Sequence, residues 1–463
     1  MQHREKKEKS RCWLLAVLAL LITLMGCSKK SDSPSQAGTD RAAGATEIKV
    51  LNYLDLTSAN SSDEITRVWD AFNKNNPDIK VIREDLFNEP FHNKVEAYAA
   101  AGQLPDVIYA WPSGRSTTLH TQKLLKDLSP LVQKDGAAFT SAFLPKALDP
   151  AAQGGGYMAI LPRAITSSHA FYVNTEVLSD AGLNPARTYE ELKAQVPVLK
   201  AKGYDTVLMA NQESWVMQSC LFSLVAGRFG GEGWEEPILA GQARFTDPDF
   251  VNALAFIKTL YDDGVLSKAT LSTDYGSVIG QFGTNKGAYL IDGDWRVGAF
   301  ITDKSTGQAV ISPERQAKIE ITVFPDIPGA KLNQSTSGIL GTGWGMNANI
   351  PSGSAKEDAA WRLIKWLSGK EIQTWLLETG SIATPTATNI DVGSLSLEPM
   401  QKAISNLGTQ YTATTSVIDG VFHSDVFNPL NDGLQELGLG SKTPEQVARE
   451  VQQAFDNWKK ANG

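Results

Sequence analysis

The chain has 463 residues, 42% hydrophobic and 20% charged, with a formal net charge of −8. That length supplies core enough for two domains or one large one, and the acidic balance argues against nucleic acid and anionic lipid as partners. Of the three cysteines, Cys12 lies in a stretch that reads as a signal and Cys27 at its lipid site, which leaves Cys220 alone, so no intramolecular disulfide is expected.

Residues 1–11 are basic, with Arg4, Lys6, Lys7, Lys9 and Arg11 against Glu5 and Glu8. The apolar run at 13–25 falls short of the roughly 20 residues of a membrane span and reads as the h-region of a secretory signal; a retained signal anchor is the alternative. Leu24-Met25-Gly26-Cys27 resembles the bacterial lipobox. Residues 1–26 are therefore expected to be a lipoprotein signal peptide and Cys27 the lipidated first residue of an extracytoplasmic, membrane-anchored chain. Loss of the signal would take the charge to about −11. Residues 27–46, "CSKKSDSPSQAGTDRAAGAT", lack aromatics and periodicity and read as the lipid anchor and a disordered tether.

The body opens with a strand in "TEIKVLNYLDL". Ile65, Val68, Trp69 and Phe72 then recur at helical spacing, and Asn75-Asn76-Pro77 stops that helix. "IKVIRED" is a second strand. "FHNKVEAYAAAGQLPDVIYAWPSG" predicts a helix, a turn and a third strand at 107–110. This βαβ alternation predicts parallel pairing with helices on both faces. Short strands at 157–161 and 170–173 follow, then mainly helices. Thr188 and Glu191 form a capping box, and Asp247-Pro248 places an N-cap before a first-turn proline. Cys220, in "WVMQSCLFSL", reads as a buried small apolar group. Trp361, Trp366 and Trp375 share a helical stretch with Leu363, Ile364 and Leu367 and read as core.

In this order, "GQLPDVIYA", "GGGYMAILPRAITSSHAFYVNTEVLSDAGL", "TYEELKAQVPVLKAKG", "GAYLIDGDW", "FPDIPG", "GWGMN" and "AAWRLIKWLSGKEIQTWLLETGSIATPT" resemble the solute-binding proteins of bacterial ABC importers, in the large family that includes maltose-binding protein. The resemblance covers nearly all of residues 47–460. It implies an α/β, two-lobed periplasmic-binding-protein-like fold. Each lobe would be a mostly parallel sheet flanked by helices, with the ligand in a cleft between lobes that closes by hinge bending. The expected N-terminal lobe is 47–161 plus 293–338 and the C-terminal lobe 167–288 plus 346–463, with crossings near 162–166, 289–293 and 339–345. It further implies a monomeric binding protein with no reaction to catalyse, whose partners are a carbohydrate and the membrane permease.

A sugar presents an apolar C–H face and a rim of hydroxyls, so its site pairs flat aromatics with planar hydrogen-bonding groups. Eleven tryptophans supply candidates. Trp295, beside Asp294 in "DGDW", stands at a strand end as a stacking platform, with Asp294 as a hydroxyl acceptor or a helix N-cap; Asp292 is expected to face its own lobe. Trp344 lies in "GTGWGMN", where flanking glycines would let the backbone approach a ligand. Trp111 and Ser113 follow the "PDVIYA" strand, and Tyr53 and Asp55 end the first one, at carboxyl ends where ligands collect in parallel sheets. Arg163 marks the first crossing, as ligand contact or interlobe salt bridge. Asn211, Glu213 and Trp215 follow the strand-like "TVLMA"; Glu213 could equally sit in a helix's first turn.

Other chemistries are poorly supported. Asp292 and Asp294 could make a glycosidase pair only by spacing, and the chain lacks the eightfold strand–helix count of the common barrel. His92, His120, His169 and His423 are scattered, with no HExxH, CxxC or GxSxG, so neither metal nor cofactor is expected. "GLGSKTP" lacks the glycine directly before the lysine of a phosphate loop. Peptides and polyamines remain rival ligands, and for a peptide Arg163 could take the carboxylate. Sequence leaves open which sugar, its length and its linkage.

Overall fold

A computed structural model describes residues 44–56, 61–411 and 413–462. The signal peptide, the lipobox with Cys27 and nearly all of the tether lie outside them. Twelve strands form among the described residues: β1 (Thr46–Tyr53), β2 (Ile79–Leu86), β3 (Val107–Ala110), β4 (Ile160–Pro162), β5 (Ala164–Thr166), β6 (Ala170–Asn174), β7 (Asp205–Leu208), β8 (Gly287–Asp292), β9 (Ile319–Thr322), β10 (Ile339–Leu340), β11 (Gly343–Met346) and β12 (Thr384–Pro385).

They make three sheets. The N-terminal lobe holds the order β2-β1-β3-β11-β4 and the C-terminal lobe β7-β8-β6-β9, while β10-β5-β12 forms a small sheet between them. The first three strands pair in parallel, as the βαβ alternation predicts. Pairing turns antiparallel where the chain re-enters a sheet from the other lobe: β11 runs against both β3 and β4, and β6 against both β8 and β9. Both sheets are therefore mixed, and the expected predominance of parallel pairing stops at β3 and the β7–β8 pair. No crossover helix is needed when a strand arrives from outside its own lobe.

The lobe boundaries need correction. Residues 293–338 were expected in the N-terminal lobe, but Val297, Phe300, Ile311, Ile319 and Ile321 pack with Tyr172 and Leu290 in a C-terminal core. Conversely Met346, Trp361, Leu363, Ile364 and Leu376 pack with Ile48, Val107 and Ile160. The crossing expected at 289–293 is thus absent, because β8 ends inside its own sheet. The three passages run through β5, β10 and β12, which pair with one another. The third is near 383–398, a segment with no hydrophobic period to announce it.

Several local expectations hold. Thr188 and Glu191 cap the helix Tyr189–Ala201 reciprocally. Trp361 and Trp375 are buried, and the ring nitrogens of Trp361, Trp366 and Trp375 donate to Asp135, the Val68 carbonyl and Asp63. Cys220 is buried, and burial raises its pKa. Asp247 precedes its helix, but its carboxylate accepts from the Arg244 N–H rather than from the helix.

Candidate functional site

Parallel β1 and β3 lie side by side, so the residues at their carboxyl ends converge. Tyr53 stacks on Tyr109 at 5.5 Å between centroids, and Trp111 stands edge-on to Tyr53 at 5.3 Å. Phe91 and His92, from the helix Glu89–Ala101, close the group from behind, at 5.2 Å from Tyr53 and 4.9 Å from Trp111. Burial drives the His92 pKa down to about 3, so this imidazole is a neutral packing group. Arg163 lies over the Tyr109 ring at 5.0 Å and donates to its hydroxyl at 3.1 Å, while its Nε finds no partner among the described residues. Asp55 follows β1, half-buried.

The C-terminal lobe offers a second aromatic group. Trp215 lies 5.2 Å from Tyr275 and 6.3 Å from Trp295. Trp295 folds back over Gly293, where a β-carbon would meet its ring at 2.2 Å, so the "DGDW" glycine is required by a close approach. The Trp295 ring nitrogen donates to the Tyr275 hydroxyl at 2.6 Å. Asp292 is fully buried and accepts from Arg296 Nε at 2.6 Å. The Arg296 guanidinium sits 3.5 Å from the Tyr275 ring centroid and donates to the Tyr275 carbonyl. Glu213 accepts from the Tyr275 N–H with one oxygen; its other oxygen and the Trp215 ring nitrogen are buried without partners among the described residues.

Arg115 joins the two groups. It belongs to the N-terminal lobe, yet its guanidinium lies 5.8 Å from the Trp215 ring and its Nε donates to Asp419 at 2.6 Å. Burial raises the Tyr53 phenol pKa, and the Arg115 charge nearby opposes that rise. The two aromatic groups therefore flank one interlobe junction. Ser113 is here too, donating to the Gly420 carbonyl.

Two expected contacts are corrected. Trp344 is only 2% exposed and sits edge-on between Trp69 and Tyr109 in the N-terminal core. Its strand has neighbours on both edges and all four of its residues are buried, and its glycines make room for neighbours such as the Leu161 carbonyl, not for a ligand. Asp294 is 5% exposed, and its carboxylate accepts the Ser167 N–H at 2.8 Å, with burial pushing its pKa up to about 7. It braces the first crossing instead of facing solvent. Asn211, also considered, is fully buried.

Sequence reasoning missed Tyr275, Arg296, Arg115 and Asp419. Arg296 could have been found, since it stands four residues after Asp292 just beyond a strand. Tyr275, in "STDYGS", carries no periodic signal, and Arg115 and Asp419 are 304 residues apart. Among the described residues no group of three or more His, Cys, Asp or Glu is placed to hold a metal ion, and no helix is long and apolar enough to cross a membrane.

The sequence profile described as bacterial extracellular solute-binding protein matches residues 58–374, and the chain belongs to that family. It is similar to the arabinooligosaccharide-binding protein of Bacillus subtilis (strain 168), with 24% identity over 331 residues, 69% of this chain and 68% of the relative. A protein solved in work on xylan utilization by the thermophilic bacterium Caldanaerobius polysaccharolyticus superposes with a TM-score of 0.77 at 21% identity, covering 88% of this chain and 99% of its own. A chitin oligosaccharide binding protein gives 0.76 at 21% identity over 90% and 99%. These likenesses establish the two-lobed α/β fold.

Proposed function

We propose that this chain captures a carbohydrate, specifically an oligosaccharide, between its lobes and delivers it to the membrane permease of an ABC importer. The observation that carries this reading is the pair of aromatic groups at one interlobe junction, Tyr53 and Trp111 on one side and Trp215 and Trp295 on the other. Flat rings suit the C–H faces of sugars, and each stacking contact adds roughly 0.5–1.5 kcal/mol beyond area burial. Arg163, Glu213, Asp55 and Ser113 are the proposed hydroxyl partners; the Arg163 Nε and one Glu213 oxygen, which have no partner among the described residues, support the first two. Two or three such contacts with a few charge-assisted hydrogen bonds reach micromolar affinity, about −8 kcal/mol. The names of the relatives, which bind or are associated with oligosaccharides, point the same way. On this reading the chain binds and releases its ligand unchanged, and a lipid on Cys27 holds it outside the membrane.

Thermal melting against arabino-, xylo-, chito- and malto-oligosaccharides, peptides and polyamines tests the ligand class. A ligand at a hundred times its dissociation constant adds about 2.7 kcal/mol of stability. The expected result is a shift from one sugar class that Trp295→Ala abolishes. A shift from peptides or polyamines alone would overturn the sugar, and slow cleavage of the stabilising sugar would overturn the binding role. The mass of the mature N-terminus tests the lipid on Cys27.

A further inference from the structure

The segment 113–115 of the N-terminal lobe meets residues 419–420 of the C-terminal lobe through three consecutive contacts. Ser113 Oγ donates to the Gly420 carbonyl. Gly114 presses against the Asp419 carbonyl so closely that any β-carbon would overlap it, and it sits at φ +37°. Arg115 enters a slot of the opposite lobe, pairing with Asp419 at 2.6 Å and lying 5.8 Å from the Trp215 ring and 5.7 Å from the Phe427 ring. Both charged side chains are close to fully buried, and Arg115 has a second, longer ion pair at 3.6 Å with Glu89 of its own lobe; separating the lobes would break the Asp419 pair and leave Arg115 with Glu89 and water.

We propose that Arg115, with Asp419 as its receptor, is a positioning residue for ligand capture: a cross-cleft tie that holds the lobes together and sets affinity without being a sugar platform. Gly114 is the residue whose missing side chain lets the tie form. The effect on affinity rests on the binding role proposed above; the tie itself does not. A tie made only in the closed arrangement raises the fraction of molecules competent to hold ligand, and apparent affinity scales with that fraction. Arg115 also lies against Trp215, so it decides how much of that indole a sugar can reach.

The test is a double-mutant cycle of Arg115→Ala and Asp419→Ala in the full chain. Hydrogen exchange is followed by mass spectrometry in segments 113–116 and 417–421, and affinity for an arabino-oligosaccharide is followed by calorimetry. Each single variant should speed exchange in both segments and weaken affinity about tenfold. The double variant should be no worse than either single, and Arg115→Lys should recover part of the loss. Gly114→Ala should reproduce the loss while both charges remain, with far-UV circular dichroism unchanged in every variant. Unchanged exchange in both segments, or fully additive losses, would overturn the tie. If exchange responds but none of the arabino-, xylo-, chito- and malto-oligosaccharides binds the parent chain, the tie stands and the ligand class falls. If sugar binds and exchange does not respond, the reverse holds.

Discussion

On the N-terminal lobe Tyr53, Tyr109 and Trp111 are held by other rings and by core hydrocarbon; on the C-terminal lobe Trp215, Tyr275 and Trp295 lean on a buried ion pair. The first group is a by-product of parallel strands ending together, with Phe91 and a neutral His92 as backing. The second is assembled from three separate segments, a helix start at Trp215, a turn at Tyr275 and a short helix at Trp295, and needs charge to fix it. A ring packed by rings keeps its place through dispersion and burial. A ring that donates to a tyrosine, which in turn rests on a guanidinium, depends on every link. The two sides of one junction therefore differ in what can break them.

The largest effect is expected at that charge. Arg296→Ala would leave Asp292 buried without its partner, and losing one member of a buried pair costs about 3–5 kcal/mol. Urea unfolding should show that loss, and near-ultraviolet circular dichroism should show Tyr275 and Trp295 released together. On the ring-packed side, Trp344→Ala should cost a comparable 3–5 kcal/mol by opening a cavity between Trp69 and Tyr109. Because that indole is core, affinity for a bound sugar should fall far less than in Trp295→Ala, which calorimetry separates.

A smaller effect is expected at Asp294, whose carboxyl is held up at about 7 by burial. A raised carboxyl means that the folded chain binds the proton more tightly than the unfolded one. Its contribution to stability is present below the unfolded value near 4 and is lost as pH rises through about 7. Asp294→Asn stays neutral and can still accept from Ser167. It should flatten the stability profile between about pH 4 and 8 and be more stable than the parent chain at the alkaline end. The smallest effect is expected at Tyr53→Phe. Its hydroxyl makes one long bond, 3.4 Å to Asn88, so melting should move by no more than a few tenths of a kcal/mol.

Trp295 and Trp344 show how far the sequence can be read. Each tryptophan follows an apolar run and a glycine, and the two look alike in the chain. Trp344 lies inside β11, between β3 and β4, so neighbouring strands and helices cover it. Trp295 lies just past the end of β8, where the sheet stops. The difference is set by strand order, which is decided by residues more than a hundred positions away. The acids of "DGDW" were legible as important but not as what they are: one anchors Arg296 and the other holds the first crossing.

What the local sequence settled was the early βαβ pattern, the helix cap at Thr188, the burial of Cys220, Trp361 and Trp375, and the family. These follow from hydrophobic period and local hydrogen bonding, which act over a few residues. Packing at long range settled which lobe owns 293–338, where the third crossing runs, and that Arg115 reaches Trp215 and Asp419. Those outcomes depend on which apolar faces bury each other across hundreds of residues. Non-directional burial leaves no mark of its partner in the local sequence.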